Sequence, residues 1–335
     1  MKKIFCIFCI LTLLSNFSKC IEESIENNSI SKLIGMVRME IIDKVLLHLP
    51  KREEVNILKM IKEMIKAKED YSFNDTESAY LVFKWISYNI RSNYDGDSDE
   101  PINVYNSGEG STKGMSSLFN NMCMLLKVET GSISGYLKWA NSHSYQITSD
   151  KEYFWNYVEI NGQYYLIDVS KAADLNFVSI NYYSEYIYLY FGTDPKIFIR
   201  LHFPKESKWQ LLPEPYTFEK FESMAILFPF FYLFNYKTVS PDTSIITGNG
   251  KIILSSDKIN PELRLEYICY DEYGDDTTIE YAKQSNKIEV EYNIDKNKCF
   301  AYCVRLGKEN WSHTEPIVFY RTNYTSSDSN IENNN

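Results

Sequence analysis

The position of Asp168 gives the strongest indication of chemistry in this chain. Residues 153–160 and 163–170 are two strand-like runs joined by Asn161-Gly162. An Asn-Gly pair between such runs predicts a β-hairpin, because a type I′ turn needs a positive φ at both central residues. Asp168 ends the second strand, where a carboxylate could orient a neighbouring side chain that takes part in acyl transfer.

A second candidate position lies upstream, where residues 105–114 lead into an apolar helical run that ends near Leu126. A helix N-terminus lowers the pKa of a thiol and therefore suits a cysteine nucleophile. The residue at this junction is Thr112, an alcohol that keeps its proton unless a base lies within reach.

This junction, followed by two sheet strands, resembles the core of the transglutaminase-like superfamily, which is papain-like in architecture. In that family the helix starts at a nucleophilic Cys, the first strand opens with His, and the second strand ends in Asp. The matching positions here are Thr112, Tyr153 and Asp168. Two of the three chemical groups are therefore replaced.

Further segments resemble the kyphoscoliosis-peptidase branch of the superfamily. They occur in the family's order and together cover about residues 75–235. They are Trp85-Ile86 with Asn89-Ile90 and Tyr94-Asp95, the strand 133–138, His202-Phe203-Pro204 with 209–212, and the segment 218–231. The resemblance implies the fold and a cysteine-peptidase or acyl-transfer ancestry.

The replaced residues argue against activity. A Cys-His-Asp triad needs a thiolate, an imidazole that takes its proton and a carboxylate that orients the imidazole. A phenol such as that of Tyr153 ordinarily has a pKa of about 10 and is no base at neutral pH. Loss of the nucleophile or the base alone costs a serine protease about a millionfold in rate. The remaining cleft, floored by Thr112, Tyr153, Trp155 and Asp168, could still bind an extended peptide without cleaving it, and an edge of the predicted β-sandwich could do the same.

Other residues offer weak substitutes for the missing groups. Cys123 lies eleven residues into the predicted helix, roughly 16 Å from its start, and is expected in the core. His143 lies on a connecting loop and is the histidine that a folded-back loop could bring to Thr112. The remaining histidines are isolated in the sequence and are expected on the surface or in the core: His48, His202 and His313.

Charge and motif content exclude several function classes. The 335 residues carry a formal charge of −10 without a basic cluster, so a nucleic-acid partner is not expected. No spacing of Cys, His, Asp and Glu resembles a zinc site, and no Gly-rich loop follows a strand as a phosphate-binding loop would. We expect no cofactor.

Residues 1–20 resemble a secretory signal peptide. Lys2 and Lys3 precede an uncharged apolar run of residues 4–14, and Ser18 and Cys20 are small residues near a cleavage site after Cys20. The run is shorter than the roughly 20 residues of a membrane-spanning helix. A buried N-terminal helix is the alternative. We expect a secreted or secretory-pathway protein with no transmembrane segment in the mature chain.

Cysteines and glycosylation motifs fit that compartment. Cys299 and Cys303 lie four residues apart in a strand-like run, so both can point at Cys269. A disulfide from Cys269 to one of them is predicted, with buried free thiols as the alternative. The candidate N-glycosylation sites are Asn27, Asn74, Asn310 and Asn323.

The pattern along the chain predicts an α+β fold, with helices first and antiparallel strands after. Helices are expected over residues 31–49 and about 53–68, and from Asp75 or Thr76 onward. A papain/transglutaminase-like core, with helices packed on an antiparallel sheet, is followed by an Ig-like β-sandwich. The predicted regions are a signal peptide (1–20), an N-terminal helical region (21–74), a transglutaminase-like domain (75–238), a β-sandwich (239–325) and a disordered tail (326–335).

Three functions remain open from the sequence. The first is a secreted, inactive transglutaminase-like protein that acts by binding a protein or peptide. The second is an atypical active peptidase or acyltransferase that uses Thr112 with His143. The third is a structural surface component in which the cleft has no role.

Overall fold

The fold was analysed in a computed structural model of the chain. The structure describes residues 30–94, 96, 99–138, 151–178, 184–256, 263–271, 273, 275–283, 286–294, 298–308 and 315–323. The predicted signal peptide, His143, His313, Asn27 and Asn310 lie outside these residues. Two compact units are present: unit 1 contains residues 1–133 and 154–194, and unit 2 contains residues 134–153 and 195–335. The domain boundaries drawn from the sequence remain predictions.

Unit 1 is built from helices and strands. Its helices are α1 (Met39–His48), α2 (Ile57–Tyr71), α3 (Asp75–Asn89), α4 (Pro101–Ser107), α5 (Thr112–Leu125) and α6 (Val169–Val178). Its strands are the short parallel pair β1 (Arg91–Ser92) and β2 (Glu109–Gly110), the first half of β3 (Glu129–Leu137), β4 (Tyr153–Ile160) from Phe154 onward, β5 (Gln163–Ile167) and β6 (Phe191–Thr193).

Helix α3 forms the centre of unit 1. It contacts α1, α5 and α6, and its residues from Thr76 to Ser87 are buried. The helix begins with a capping box, in which Asn74 accepts the N–H of Glu77 while the Glu77 side chain accepts the N–H of Asn74. A helix that is apolar on nearly every side must be buried on nearly every side, which explains its central position.

The predicted hairpin is present. Strands β4 and β5 pair antiparallel from Asn156 opposite Ile167 to Ile160 opposite Gln163. Both turn residues have positive φ, 53° at Asn161 and 77° at Gly162, as a type I′ turn requires.

The first predicted helix is shorter in the structure than in the sequence pattern. Residues 31–38 do not join it, because Ser31 bridges Thr193 and Lys32 donates its N–H to the carbonyl of Gly192. Strand β6 therefore holds the start of this segment, Ile34–Met36 form a single 3-10 turn, and α1 begins only at Met39. Tertiary hydrogen bonds have overridden a helical pattern here.

Unit 2 contains the second half of β3, which pairs antiparallel with β7 (His202–Pro204). Its other early elements are α7 (Pro195–Phe198), α8 (Phe218–Ser223), β8 (Ile226–Leu227) and α9 (Pro229–Leu233). The later strands are β9 (Tyr236–Ser240), β10 (Ile245–Ile246), β11 (Asn249–Ser256), β12 (Leu263–Tyr270), β13 (Asp276–Lys283), β14 (Lys287–Asn293), β15 (Ala301–Lys308) and β16 (Glu315–Thr322).

The later strands form two sheets. One has the order β14-β11-β9, and the other has the order β10-β16-β15-β12-β13, with β8 added beside β16. The sheets meet where the ring of Tyr302 lies 5.9 Å from that of Tyr292. Tyr302, near the start of β15, also donates its hydroxyl to the carbonyl of Asn293 at 3.3 Å. A tyrosine that reaches back in this way is a feature of immunoglobulin-like domains and favours the Ig-like class, which stays a prediction.

The structure contains the disulfide predicted from Cys269, and its partner is Cys299, with 5.4 Å between the Cα atoms. Cys303, the other candidate, does not point at Cys269. Tyr302 is the residue opposite Cys269, and Cys303 lies opposite Ile268. Because neighbouring residues of a strand point to opposite faces, Cys303 turns away from Cys269 and is buried outside the disulfide. Cys299 lies before β15, which begins at Ala301.

No helix in the described ranges is both long and apolar enough to span a membrane.

Candidate functional site

Thr112 is the first residue of α5, as the sequence predicts. Ser111 caps this helix by accepting the N–H of Gly114 at 3.0 Å. The Ser111 hydroxyl also donates to Asp99 at 2.5 Å, and the second oxygen of Asp99 pairs with Lys113 at 2.9 Å. These hydrogen bonds, from Ser111 first and then Lys113, hold the pKa of Asp99 below its ordinary value. Ser111 and Lys113, the residues on either side of Thr112, are therefore both hydrogen-bonded to the carboxylate of Asp99.

The Thr112 hydroxyl is hydrogen-bonded to the backbone of the hairpin. Its Oγ1 accepts the N–H of Phe154 at 3.3 Å, which ties the start of α5 to the first strand of the hairpin. Thr112 is only 6% exposed. The hydroxyl is therefore hydrogen-bonded as an acceptor and shielded from solvent.

Asp168 follows the last residue of β5 and is fully buried. One of its oxygens, Oδ1, accepts the N–H groups of Ser170 and Lys171, each at 2.9 Å. Its own N–H donates to the carbonyl of Tyr190 at 2.9 Å. The carboxylate therefore caps the N-terminus of α6, where a negative charge is also favoured by the helix dipole.

Tyr153 has a neighbour that sequence reasoning missed. The Tyr153 ring lies 5.8 Å from the ring of His202, which is buried and stacked on Phe198 with centroids 3.9 Å apart. Nδ1 of His202 lies 3.3 Å from the carbonyl oxygen of Phe198. His202 is buried, which agrees with the expectation of a surface or core histidine. Its place beside Tyr153 could not be predicted, because no local spacing connects residues 153 and 202.

The four predicted cleft residues are all buried: Thr112, Tyr153, Trp155 and Asp168. Their contact with a ligand would require neighbouring side chains to move. Their role in ligand binding remains a prediction.

A polar cluster beside Asp168 was also missed. The Tyr94 hydroxyl donates to the carboxylate of Asp174, and the Lys171 ammonium donates to Tyr94 Oη at 3.0 Å. Burial first, and then the Asp174 charge, raise the pKa of Tyr94 well above its ordinary value. Burial likewise raises the pKa of Asp174, against the opposing effect of Lys171. The Tyr94-Asp95 motif and the i, i+3 spacing of Lys171 and Asp174 were the available signals.

Neutral hydrogen bonds anchor the next turns of α5 to the sheet. Asn156 of β4 donates to the carbonyl of Ser116 and to Oδ1 of Asn120, at 3.1 and 2.8 Å. Thr130 of β3 donates to the same Asn120 oxygen at 2.9 Å and to the carbonyl of Tyr157. This network fixes the helix that carries Thr112 without contributing an acid or a base.

The remaining candidates do not supply the missing groups within unit 1. Cys123 is fully buried, and burial raises its pKa well above the ordinary value of a thiol. His48, which is the single histidine in the sequence of unit 1, is exposed at the end of α1 with Nδ1 2.7 Å from the carbonyl of Lys44. Among the residues that the structure describes, no group of three His, Cys, Asp or Glu could hold a metal ion.

Comparison with known proteins identifies relatives of the chain. No family model matches it. Kyphoscoliosis peptidase of Homo sapiens is 26% identical over 212 residues, which cover 61% of this chain and 32% of the human protein. The chain is a homologue of kyphoscoliosis peptidase.

A second relative supports the same conclusion. The LIM and transglutaminase domain protein ltd-1 of Caenorhabditis elegans is 24% identical over 210 residues, which cover 58% of this chain and 28% of the nematode protein. The resemblance to the kyphoscoliosis-peptidase branch is thus confirmed. The chain spans about a third of the length of these relatives.

Among solved structures, a match to a TGase covers 47% of this chain and 37% of the TGase chain, with 12% sequence identity and a TM-score of 0.25. A score this low adds nothing to the sequence comparison. The α+β organisation is shown by the elements of the chain itself, with helices followed by antiparallel sheets.

Proposed function

We propose that this protein is a secreted, non-catalytic relative of kyphoscoliosis peptidase that acts by binding another protein or a peptide. The observation that carries the proposal is the state of Thr112. The residue at the nucleophile position is an alcohol, 6% exposed, whose oxygen accepts a backbone N–H from Phe154.

The chemistry of acyl transfer explains why this matters. The attacking oxygen must lose its proton to a base within hydrogen-bond reach, and the base must be held by a third group. In unit 1 the Asp168 oxygen Oδ1 accepts two backbone N–H groups of α6. The sole histidine of the unit's sequence, His48, is exposed beside the Lys44 carbonyl. The described residues of unit 1 thus supply a hydroxyl and a capping carboxylate, and no imidazole beside them.

The disulfide supports the secreted half of the proposal. A bridge between Cys269 and Cys299 persists in oxidising compartments and is rare in the cytosol of most organisms. Asn74 and Asn323, two of the glycosylation candidates, are exposed. Asn74 uses its side-chain oxygen as the helix cap, so a glycan on its nitrogen would leave the capping oxygen in place.

The test of inactivity is a comparison of the wild type with Thr112→Val, which replaces the hydroxyl by a methyl group of similar size. We expect neither protein to hydrolyse peptides or to incorporate amines into protein. Turnover by the wild type that Thr112→Val abolishes would overturn the proposal. Covalent labelling of Thr112 by an electrophile, lost in His143→Ala, would point instead to the Thr112–His143 enzyme.

The test of binding uses affinity capture from the native extracellular milieu, followed by a titration of the recombinant partner. We expect saturable binding with the same Kd for wild type and Thr112→Val, because the function does not use the hydroxyl. A captured protein that shows no saturable binding in the titration would contradict the binding role.

A further inference from the structure

Two buried cations converge in unit 2, away from the residues discussed above. Lys138, the residue after β3, is 3% exposed, and Arg200, the second residue after α7, is 8% exposed. Both reach the same residue, because the Lys138 ammonium donates to the carbonyl of Met224 at 2.6 Å and Nη1 of Arg200 lies 3.3 Å from the Met224 sulfur. Charged side chains are rarely buried to this extent unless they are paired.

The carboxylate of this cluster is Asp242, and it pairs with Arg200. Asp242 accepts from both terminal nitrogens of Arg200, at 3.1 and 2.5 Å, and from the N–H of Ala225 at 3.2 Å. The Asp242 side chain is 45% exposed, so part of its charge is screened by water. Glu222 and Lys220, on α8, act on Lys138 with opposite signs and offset one another. The cluster therefore holds one buried positive charge in excess.

Hydrogen-bond donors are also in excess. Nε of Arg200 is buried and has no hydrogen-bond partner among the described residues. The Lys138 ammonium has three N–H groups, and its contacts in the described structure are the Met224 carbonyl and the ring of Phe221, 4.6 Å away. A buried donor without an acceptor has lost its hydrogen bonds to water and destabilises the fold, so each such group calls for an explanation.

We propose that Lys138 and Arg200 form a binding site for a small monovalent anion of the chloride type. Such an anion neutralises the excess charge and accepts from the unsatisfied donors at once. A divalent anion would leave the cluster negative, and a bulky organic acid would have to displace the packed Phe221 and Met224. The site is independent of the proposed binding function, since none of its residues belongs to the degenerate triad.

Deprotonation of Lys138 is the competing way to remove the charge. Burial, and then the nearby Arg200, lower the pKa of Lys138 to about 7. Near pH 6 the amine is charged and needs the anion, whereas near pH 9 it is neutral in the anion-free protein. An anion bound beside the ammonium stabilises its charged form, so its effect on stability is expected to weaken as the pH rises between these values.

The experiment measures the Tm of the full chain at constant ionic strength while sodium gluconate is replaced by sodium chloride. For a site that saturates, we expect Tm to rise by about 3 °C near pH 6 and by less near pH 9. Lys138→Met should remove the chloride response. Lys205→Met is the matched control, because Lys205 lies in the same unit but forms an exposed pair with Glu152, and it should keep the response.

A second measurement does not depend on the variants folding. Anomalous scattering from crystals of the wild type grown in bromide should give a peak at hydrogen-bond distance from the Lys138 ammonium. Equal Tm values in chloride and gluconate would overturn the proposal. So would bromide peaks confined to other places, or ¹⁵N spectra showing a neutral Lys138 amine near pH 6 in chloride.

Discussion

The carboxylate of Asp168 accepts the backbone N–H of Lys171 at 2.9 Å. Asp168, which the sequence predicts to be the third triad position, therefore caps a helix in this protein. The Lys171 side chain continues the connection to Tyr94 and Asp174. Asp168 thus joins the end of β5 to helix α6, and Lys171 and Asp174 join α6 to the segment around Tyr94.

Removing this cap should destabilise unit 1. Asp168→Ala leaves the N–H groups of Ser170 and Lys171 without their acceptor, and we expect a loss of about 2–3 kcal/mol in the free energy of unfolding. Asp168→Asn keeps an oxygen acceptor and is the matched control, with a smaller expected loss. Urea denaturation followed by tryptophan fluorescence measures both. Equal stability of Asp168→Ala and wild type would show that the cap is not important.

The ion pair between Arg38 and Glu77 should make stability fall in acid. Burial alone raises the pKa of Glu77, but hydrogen bonds from Arg38 and from the backbone of Asn74 outweigh burial and bring the pKa below its ordinary value. The unfolded chain then binds a proton more readily than the folded one. The stabilisation is full above the unfolded pKa of about 4.3 and is lost as the pH falls through the folded value.

The variant for this prediction is Glu77→Gln. It should be less stable than wild type near neutral pH, and the difference should shrink in acid. Urea titrations between about pH 3 and pH 7 measure the two curves. A difference that does not change with pH would contradict a role for the Glu77 charge. Lys66→Gln, which breaks the exposed pair of Lys66 and Asp70 on α2, is the control and should change little.

Lys138 should give a pH dependence of the same sign in alkali. Its pKa is lowered to about 7 in the folded protein, against about 10.4 in an unfolded chain. Between these values the unfolded chain binds the extra proton, so stability should rise with pH by up to about 1.4 kcal/mol per unit. In gluconate buffer, Lys138→Met should lack this rise. A wild-type curve that is flat in that range would show an unshifted lysine.

The disulfide should join Cys269 to Cys299 and not to Cys303, and it should stabilise the folded protein strongly. Cys269 and Cys299 are 30 residues apart in sequence, and closing a loop of that length is worth about 3–4 kcal/mol in the chain-entropy description. Cys269→Ser combined with Cys299→Ser should lower the Tm accordingly, and Cys303→Ser should leave the bridge intact. Peptide mapping without reduction should recover Cys269 linked to Cys299. A link to Cys303 would contradict the strand register.

Much of the fold could be predicted from local patterns. The turn Asn161-Gly162 needs positive φ at both residues, and few sequences meet that need, so the hairpin was readable from the sequence. Helix α3 carries its own capping residues and apolar faces. The segment before α1 was misread, because its hydrogen-bond partners on β6 lie about 160 residues away and leave no local trace.

The features of the candidate site also fall into those that the sequence predicts and those that only the tertiary structure shows. The sequence by itself predicted that Thr112 and Tyr153 occupy the positions of a thiol and an imidazole, since such a prediction needs only the identity of the side chains along the chain. The tertiary structure alone decided that Asp168 caps α6, that His202 lies beside Tyr153, and that Cys299 and not Cys303 joins Cys269. Those outcomes depend on strand register and on packing between residues distant in sequence, which are set by the burial of the whole chain and not by local propensity.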